Sequence, residues 1–283
     1  MTVPSLPALM LEPLVRAALL EDLGRAGDIT TDAVVPKQAR AETALVARQP
    51  GVVAGLDLAA LAFRLVEPEI AVRIDRPDGT RLQPGDRVAT IEGSARGVLT
   101  AERVALNFLG HLSGVASATA TLVEAVQGHK ARICCTRKTM PGLRAVQKYA
   151  VRVGGGVNHR LGLDDAVLIK DNHVVAAGGV KPAILAARNA IGHLVKIEVE
   201  VDTLLQLREA MEEGVDAVLL DNMDPPTLAE AVRMIDGRAV SEASGRITPA
   251  TAPAIAASGV DLISAGWLTH SATVLDIGLD WRQ

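Results

Sequence analysis

Residues 195–221 read VKIEVEVDTLLQLREAMEEGVDAVLLD, two short apolar runs separated by a helix-like segment. The runs, Val195–Val199 and Ala217–Leu220, are rich in β-branched and aliphatic side chains, as parallel strands buried on both faces are. Runs of the same kind lie on either side, at Ala131–Cys135, Ala166–Ile169, Ala239–Ser241 and Val260–Ser264. The last four of the six begin about 21–22 residues apart, the spacing of repeated β-loop-α units. Six such units predict an incomplete or irregular β/α barrel rather than a closed eight-stranded one. An open doubly wound sheet is the alternative.

Upstream the texture is α+β. Pro7 to Leu23 has helical spacing, with Leu11, Leu14, Val15 and Ala18 on one face. Glu42–Arg48, Ile70–Arg76 and Arg87–Glu92 alternate or cluster as strands do, with turns at Asp78-Gly79 and Pro84-Gly85-Asp86. Thr100 is placed to cap a long helix running to about Gln127, with Val104, Phe108, Leu112 and Val115 on its apolar face.

Composition sets bounds on function. With 49% apolar residues the core is ample, and with 2% aromatic residues it is built from Ala, Val, Leu and Ile. A net charge of −4 argues against a nucleic-acid binder. No stretch reaches the roughly 18 uninterrupted apolar residues of a membrane span, and Met1 to Leu20 lacks the basic start and apolar run of a secretory signal. Cys134 and Cys135 are neighbours, a strained spacing for a disulfide, and they read as small apolar strand residues in a reducing cytoplasm.

In a β/α barrel the working face lies at the C-terminal ends of the strands. Those ends read Thr136-Arg137-Lys138, Lys170-Asp171-Asn172-His173, Glu198 to Glu200, Asp221-Asn222, Ser244-Gly245-Arg246 and Ala265-Gly266. A glycine turn opening onto a helix presents backbone N–H groups that cradle a phosphate. Helices are expected to begin near Pro249 and Ser271, although a strand-to-helix turn often needs glycine for its own sake. Glu200 and Asp221, at adjacent strand mouths, suit Mg²⁺, ribose hydroxyls, a cationic centre or acid–base work. The plain alternative is an ion pair with a barrel-mouth lysine. Glu198, two residues before Glu200, faces the same side one layer deeper.

The stretch 136–173 carries Arg137, Lys138, Arg144, Lys148, Arg152, His159, Arg160 and Lys170 around Gly154-Gly155-Gly156. A charge run is usually a solvated face. Here several of the cations sit at strand ends, and the glycines allow backbone to approach whatever His159 and Arg160 contact. Arginine forks and lysine charges around one cavity imply substrates carrying several negative charges.

The same stretch, TRKTMPGLRAVQKYAVRVGGGVNHRLGLDDAVLIKDNH, closely resembles the quinolinate phosphoribosyltransferase family, as do KIEVEV, LLDN, EASGRIT and GVDLISAGWLTHS. EDLGRAGDITT and TAERVALNFLGHLSGVAS extend the resemblance, which runs in order from about residue 20 to 275. It implies an N-terminal α/β sandwich and a C-terminal α/β barrel of six or seven strands. The expected division is 1–114 for the sandwich and 115–270 for the barrel, with a segment 271–283 able to return to the first domain. The implied reaction joins quinolinate to 5-phosphoribosyl-1-pyrophosphate (PRPP), giving nicotinate mononucleotide, pyrophosphate and CO₂, with Mg²⁺, in de novo NAD synthesis. A homodimer or larger oligomer is also implied.

Matched residue by residue, the resemblance implies that Arg137, His159, Arg160 and Lys170 grip the quinolinate carboxylates and that Arg103 in AER reaches a neighbouring subunit's site. By the same resemblance Lys138 is expected to serve PRPP, Glu200 and Asp221 the ribose and its metal, and the turns 244–246 and 265–267 the 5-phosphate, with Thr136 also among the substrate-binding residues. Arg246 and Trp267 depart from the family pattern. Three readings compete: a relative of molybdenum-transport type with another substrate, a barrel aldolase using Lys170 as its amine, and a non-catalytic ligand-binding paralogue.

Overall fold

The structure, a computed structural model, describes residues 3–281. The chain opens with α1 (Ala8–Leu23), α2 (Ile29–Val34), β1 (Arg40–Ala47), β2 (Gly51–Val52) and α3 (Leu56–Val66). Next come β3 (Ala71–Ile74), β4 (Arg81–Leu82), β5 (Arg87–Ser94) and the long α4 (Ala95–Ala125). The repeating region follows as β6 (Arg132–Cys134), α5 (Arg144–Val153), β7 (Val167–Ile169), α6 (Asp171–Ala177), α7 (Val180–Ala190) and β8 (Ile197–Val201). It continues through α8 (Leu204–Glu213), β9 (Ala217–Asp221), α9 (Pro225–Ile235), β10 (Val240–Ser244), α10 (Ala252–Ala257) and β11 (Leu262–Ser264). Last are α11 (Trp267–His270) and β12 (Ile277–Trp281).

Two compact units emerge. Among the described residues the first comprises 3–120, 139–155 and 269–281, the second 121–138 and 156–268. The first unit contains a four-stranded sheet in the order β12-β1-β5-β3, antiparallel throughout, with Thr43 to Ala47 paired against Trp281 to Ile277. Residues 139–155, placed by the sequence in the barrel domain, group with this unit. Gly154 shows why: a Cβ there would lie 2.4 Å from the Ala116 carbonyl oxygen of α4. That glycine lets two backbones touch inside the first unit, whereas the sequence suggested an approach to the contacts of His159 and Arg160. On the same long helix, a Cβ at Gly114 would lie 2.1 Å from the Thr273 carbonyl oxygen, so the segment leading into β12 lies directly on α4.

The second unit holds a parallel six-stranded sheet ordered β6-β11-β10-β9-β8-β7. β6 and β7 are consecutive in the sheet-forming sequence yet occupy opposite ends of this order. Val157 adds a single parallel bridge to Cys134, donating its N–H to Ile133 O (2.8 Å) and accepting from Cys135 N–H (3.1 Å). It stands at the position of a rudimentary seventh strand.

Several boundaries differ from the sequence expectation. α4 begins at Ala95, and Thr100 lies inside it; the Ser94 hydroxyl accepts from Gly97 N–H (3.3 Å) at the start, while Thr100 donates to Asp28 (3.1 Å). β8 starts two residues later than expected because Asp216 holds its edge, accepting from Ile197 N–H (2.9 Å) and pairing with Lys196. β10 continues to Ser244, three residues beyond the expected end. α10 begins at Ala252 rather than near Pro249, and the expected helix at Ser271 is instead the short turn of α11, directly after Gly266.

Candidate active site

The strand ends of the second unit surround a cavity of about 500 Å³. Thr136, Arg137, Lys138, His159, Arg160, Lys170, Glu200, Asp221 and Ser244 all line it. Alternation aims the acidic side chains: in β8, Ile197, Val199 and Val201 are buried, leaving Glu198 and Glu200 together on the opposite face. Asp221 closes β9 and Ser244 closes the adjacent β10, where the Ser244 hydroxyl donates to the Asp221 carboxylate (2.7 Å). The Asn222 side-chain amide also donates to Asp221 (2.6 Å).

The cations divide into two kinds. Lys170 pairs with Glu200, the ion pair that the bland reading of these carboxylates anticipated. Arg137 and Arg160 instead each bury an Nε with no hydrogen-bond partner among the described residues. Arg160 is fixed by one terminal nitrogen, which donates to Ala166 O (2.9 Å). Burial, and then the charge of Arg137, hold the Arg160 pKa below its ordinary value. Buried donors without acceptors cost free energy on the order of 1–3 kcal/mol each, more when charged. A pair of forks in that state is prepared for an anion with planar oxygens.

Beneath the arginines lies a group that the sequence only half disclosed. His159 Nε2 sits 2.8 Å from Glu198 Oε2 and 3.8 Å from Glu242 Oε2. The Arg160 backbone N–H donates to His159 Nδ1 (2.8 Å). Glu242 is 1% exposed, hydrogen-bonds with the Ser264 hydroxyl and leaves Oε1 without a partner among the described residues. Burial first, and the charge of Glu198 second, push its carboxyl up to about 7 despite the opposing influence of His159. Sequence reasoning gave Glu242 no role because its strand was expected to end at Ser241. The available signal was its spacing: two residues before Ser244, it shares that residue's face.

Of the two glycine turns, only Ser244 lines this cavity; Gly245, Arg246, Ala265, Gly266 and Trp267 lie outside its lining. Gly245 and Arg246 border another cavity of about 610 Å³ together with Asn222 and Thr251. Arg246 has φ +51°, a left-handed conformation that costs a non-glycine residue about 1 kcal/mol. The Ala265 N–H donates to Cys134 O (3.0 Å), and the Trp267 indole donates to Ile247 O (2.9 Å), tying its turn to the one after β10. Arg103 is exposed on α4 in the first unit. Arg144, Lys148 and Arg152 belong to α5, also in the first unit, so the basic stretch divides between the units.

Glu200 and Asp221 provide hard carboxylate oxygens on one cavity wall, a donor set that fits Mg²⁺ when substrate oxygens complete the shell. His159, Glu198 and Glu242 form the cluster of potential metal ligands among the described residues.

A β/α sheet whose strand ends converge cations and carboxylates on one cavity defines a barrel site for polyanionic substrates. Residues 28–113 match the family model for the quinolinate phosphoribosyl transferase N-terminal domain, and residues 115–280 match that for its C-terminal domain. The chain belongs to the quinolinate phosphoribosyl transferase family. It is 49% identical to a carboxylating nicotinate-nucleotide pyrophosphorylase of Mycobacterium leprae, covering 94% of this chain and 95% of that one. Identity is 42% to a probable enzyme of the same name in Bacillus subtilis, covering 96% and 93%. The crystal structure of NadC from Streptococcus pyogenes superposes with a TM-score of 0.94 at 42% identity, covering 99% and 100%. Among the described residues no helix is long and apolar enough to cross a membrane.

Proposed function

We propose that the chain transfers the phosphoribosyl group of PRPP to the ring nitrogen of quinolinate and releases one carboxylate as CO₂, yielding nicotinate mononucleotide and pyrophosphate for NAD synthesis. The observation that carries this reading is the pair of partly buried guanidinium groups, Arg137 and Arg160, each with a buried Nε awaiting an acceptor. Two adjacent carboxylates on a rigid pyridine ring are the complementary ligand. Lys138 and Lys170 add charge for the remaining anionic groups of the two substrates.

The ring nitrogen attacks C1 of the ribosyl unit while the C1–O bond breaks and its electron pair leaves with pyrophosphate. Positive charge builds on the ribosyl carbon, and the carboxylates of Glu200 and Asp221 stabilise it across the cavity. The N-ribosylated ring is cationic, so the neighbouring C–C bond can release CO₂ with the electron pair held on carbon until a proton replaces it. Positioning and exclusion of water are the protein's main contributions. We assign Glu200 and Asp221 as the residues that would hold Mg²⁺, which when bound neutralises the departing pyrophosphate. Lys170 is engaged by Glu200, which disfavours the reading of an amine nucleophile. The 244–246 and 265–267 turns are assigned to the 5-phosphate. A homodimer acting in the cytoplasm, with Arg103 supplied to the partner's site, completes the proposal.

Quinolinate labelled in the carboxylate next to the ring nitrogen tests it. The purified protein should release labelled CO₂ only when PRPP and Mg²⁺ are both present. No release under those conditions would rule out the activity.

A further inference from the structure

The triad of His159, Glu198 and Glu242 forms a partition inside the barrel. On one side is the cavity at the strand C-terminal ends, which His159 and Glu242 help to line. On the other is a cavity of about 430 Å³ bordered by Val167, Ile197, Ala217, Val240 and Leu262, the first residues of five strands. All three members of the triad border this lower cavity. Two chemistries are open to such a group: a divalent cation bound by all three, or a hydrogen-bonded support.

The ring of His159 decides between them. Its Nδ1 accepts from the Arg160 N–H, so in the neutral imidazole the proton resides on Nε2. A cation needs the Nε2 lone pair, whereas a carboxylate 2.8 Å away needs an N–H donor. The arrangement is therefore that of a support. Glu198 accepts from the ring, Glu242 stands behind it at 3.8 Å, and the ring orients the Arg160 peptide.

We infer that Glu198 and Glu242 are positioning residues for the dicarboxylate substrate, acting through His159 to set the Arg160 backbone and thereby the guanidinium beside Arg137. This rests on the proposed activity. His159 on this view contributes chiefly from beneath, since both ring nitrogens are engaged by protein groups.

Two measurements test it. Nitrogen-15 NMR of the wild-type protein without substrate should show His159 as the Nε2–H tautomer; the Nδ1–H tautomer overturns the inference. In steady-state assays, Glu198→Ala should raise KM for quinolinate about tenfold, the scale of one lost buried hydrogen bond to a charged group, with KM for PRPP unchanged within about twofold. Glu198→Gln keeps a carbonyl acceptor in place and should recover most of the loss. An unchanged quinolinate KM, equal rises in both KM values, or a Gln variant as impaired as the Ala variant overturns it. Should Glu198→Ala fail to fold, Glu198→Asp withdraws the acceptor by one methylene and is read by the same criteria. Wild-type protein without CO₂ release would sink the activity itself, while the NMR tautomer still decides the hydrogen-bond arrangement.

Discussion

At the scale of single residues, the site is a set of buried polar atoms with unequal provision. The Arg160 guanidinium loses solvent and donates to the Ala166 carbonyl, while its buried Nε has no partner among the described residues and is held for a ligand. Arg160→Ala should weaken quinolinate binding about a hundredfold by calorimetry while leaving PRPP binding nearly intact, the scale of removing one member of a desolvated charge pair. Glu242 makes a different prediction. Its folded-state pKa lies above the ordinary 4.5, at about 7, so the native protein retains a proton there that the unfolded chain has released. Stability from this group therefore falls as pH rises from about 4.5 to 7. Glu242→Gln carries no such penalty. Its stability relative to wild type should improve by on the order of 2 kcal/mol from pH 5 to pH 8, read from urea unfolding at both values. Arg137 and Lys170 were legible because basic residues at strand ends are unusual, and Arg160 because it belongs to the run of cations between them. Glu242 was not, because a glutamate between serines in the short run VSEAS gives no signal until the strand's end is known.

At the scale of elements, alternation and spacing disclosed which runs are strands, and tertiary contacts determined where each begins. Asp216 sets the start of β8, and Ser94 takes the capping position that Thr100 was expected to fill. Cap chemistry is local, but a serine at the end of a strand and a threonine six residues later advertise themselves equally. Gly154 was visible and its purpose was not, since the partner backbone at Ala116 is distant in sequence. Gly114 offers a direct test of such contacts. Gly114→Ala places a Cβ 2.1 Å from a carbonyl oxygen rather than against a flexible side chain. It should destabilise the protein by about 1–3 kcal/mol in chemical denaturation, despite alanine's better helix propensity.

At the scale of the whole molecule, repetition of β-loop-α units made the barrel readable, while the grouping of residues 139–155 was hidden. α5 looks like one more crossover helix in the sequence, yet it groups with the first unit. Net charge was informative in the same broad way: −4 overall accommodates a basic cavity because acidic strand residues accompany it. If Arg103 serves a partner's site, Arg103→Ala and Arg160→Ala proteins, each nearly inactive, should regain about a quarter of the activity of the same total amount of wild-type protein when co-refolded in equal parts, by random pairing of subunits. Activity that stays at the level of the separate variants would leave Arg103 without that role.

The pairing of β1 with β12 also bears on how the protein is made. Arg40–Ala47 emerges early during synthesis, but the strand that covers one edge of it, Ile277–Trp281, is translated only after the entire second unit. A nascent chain must therefore carry an uncovered strand edge through most of its translation, the kind of surface that invites association between chains and engages chaperones.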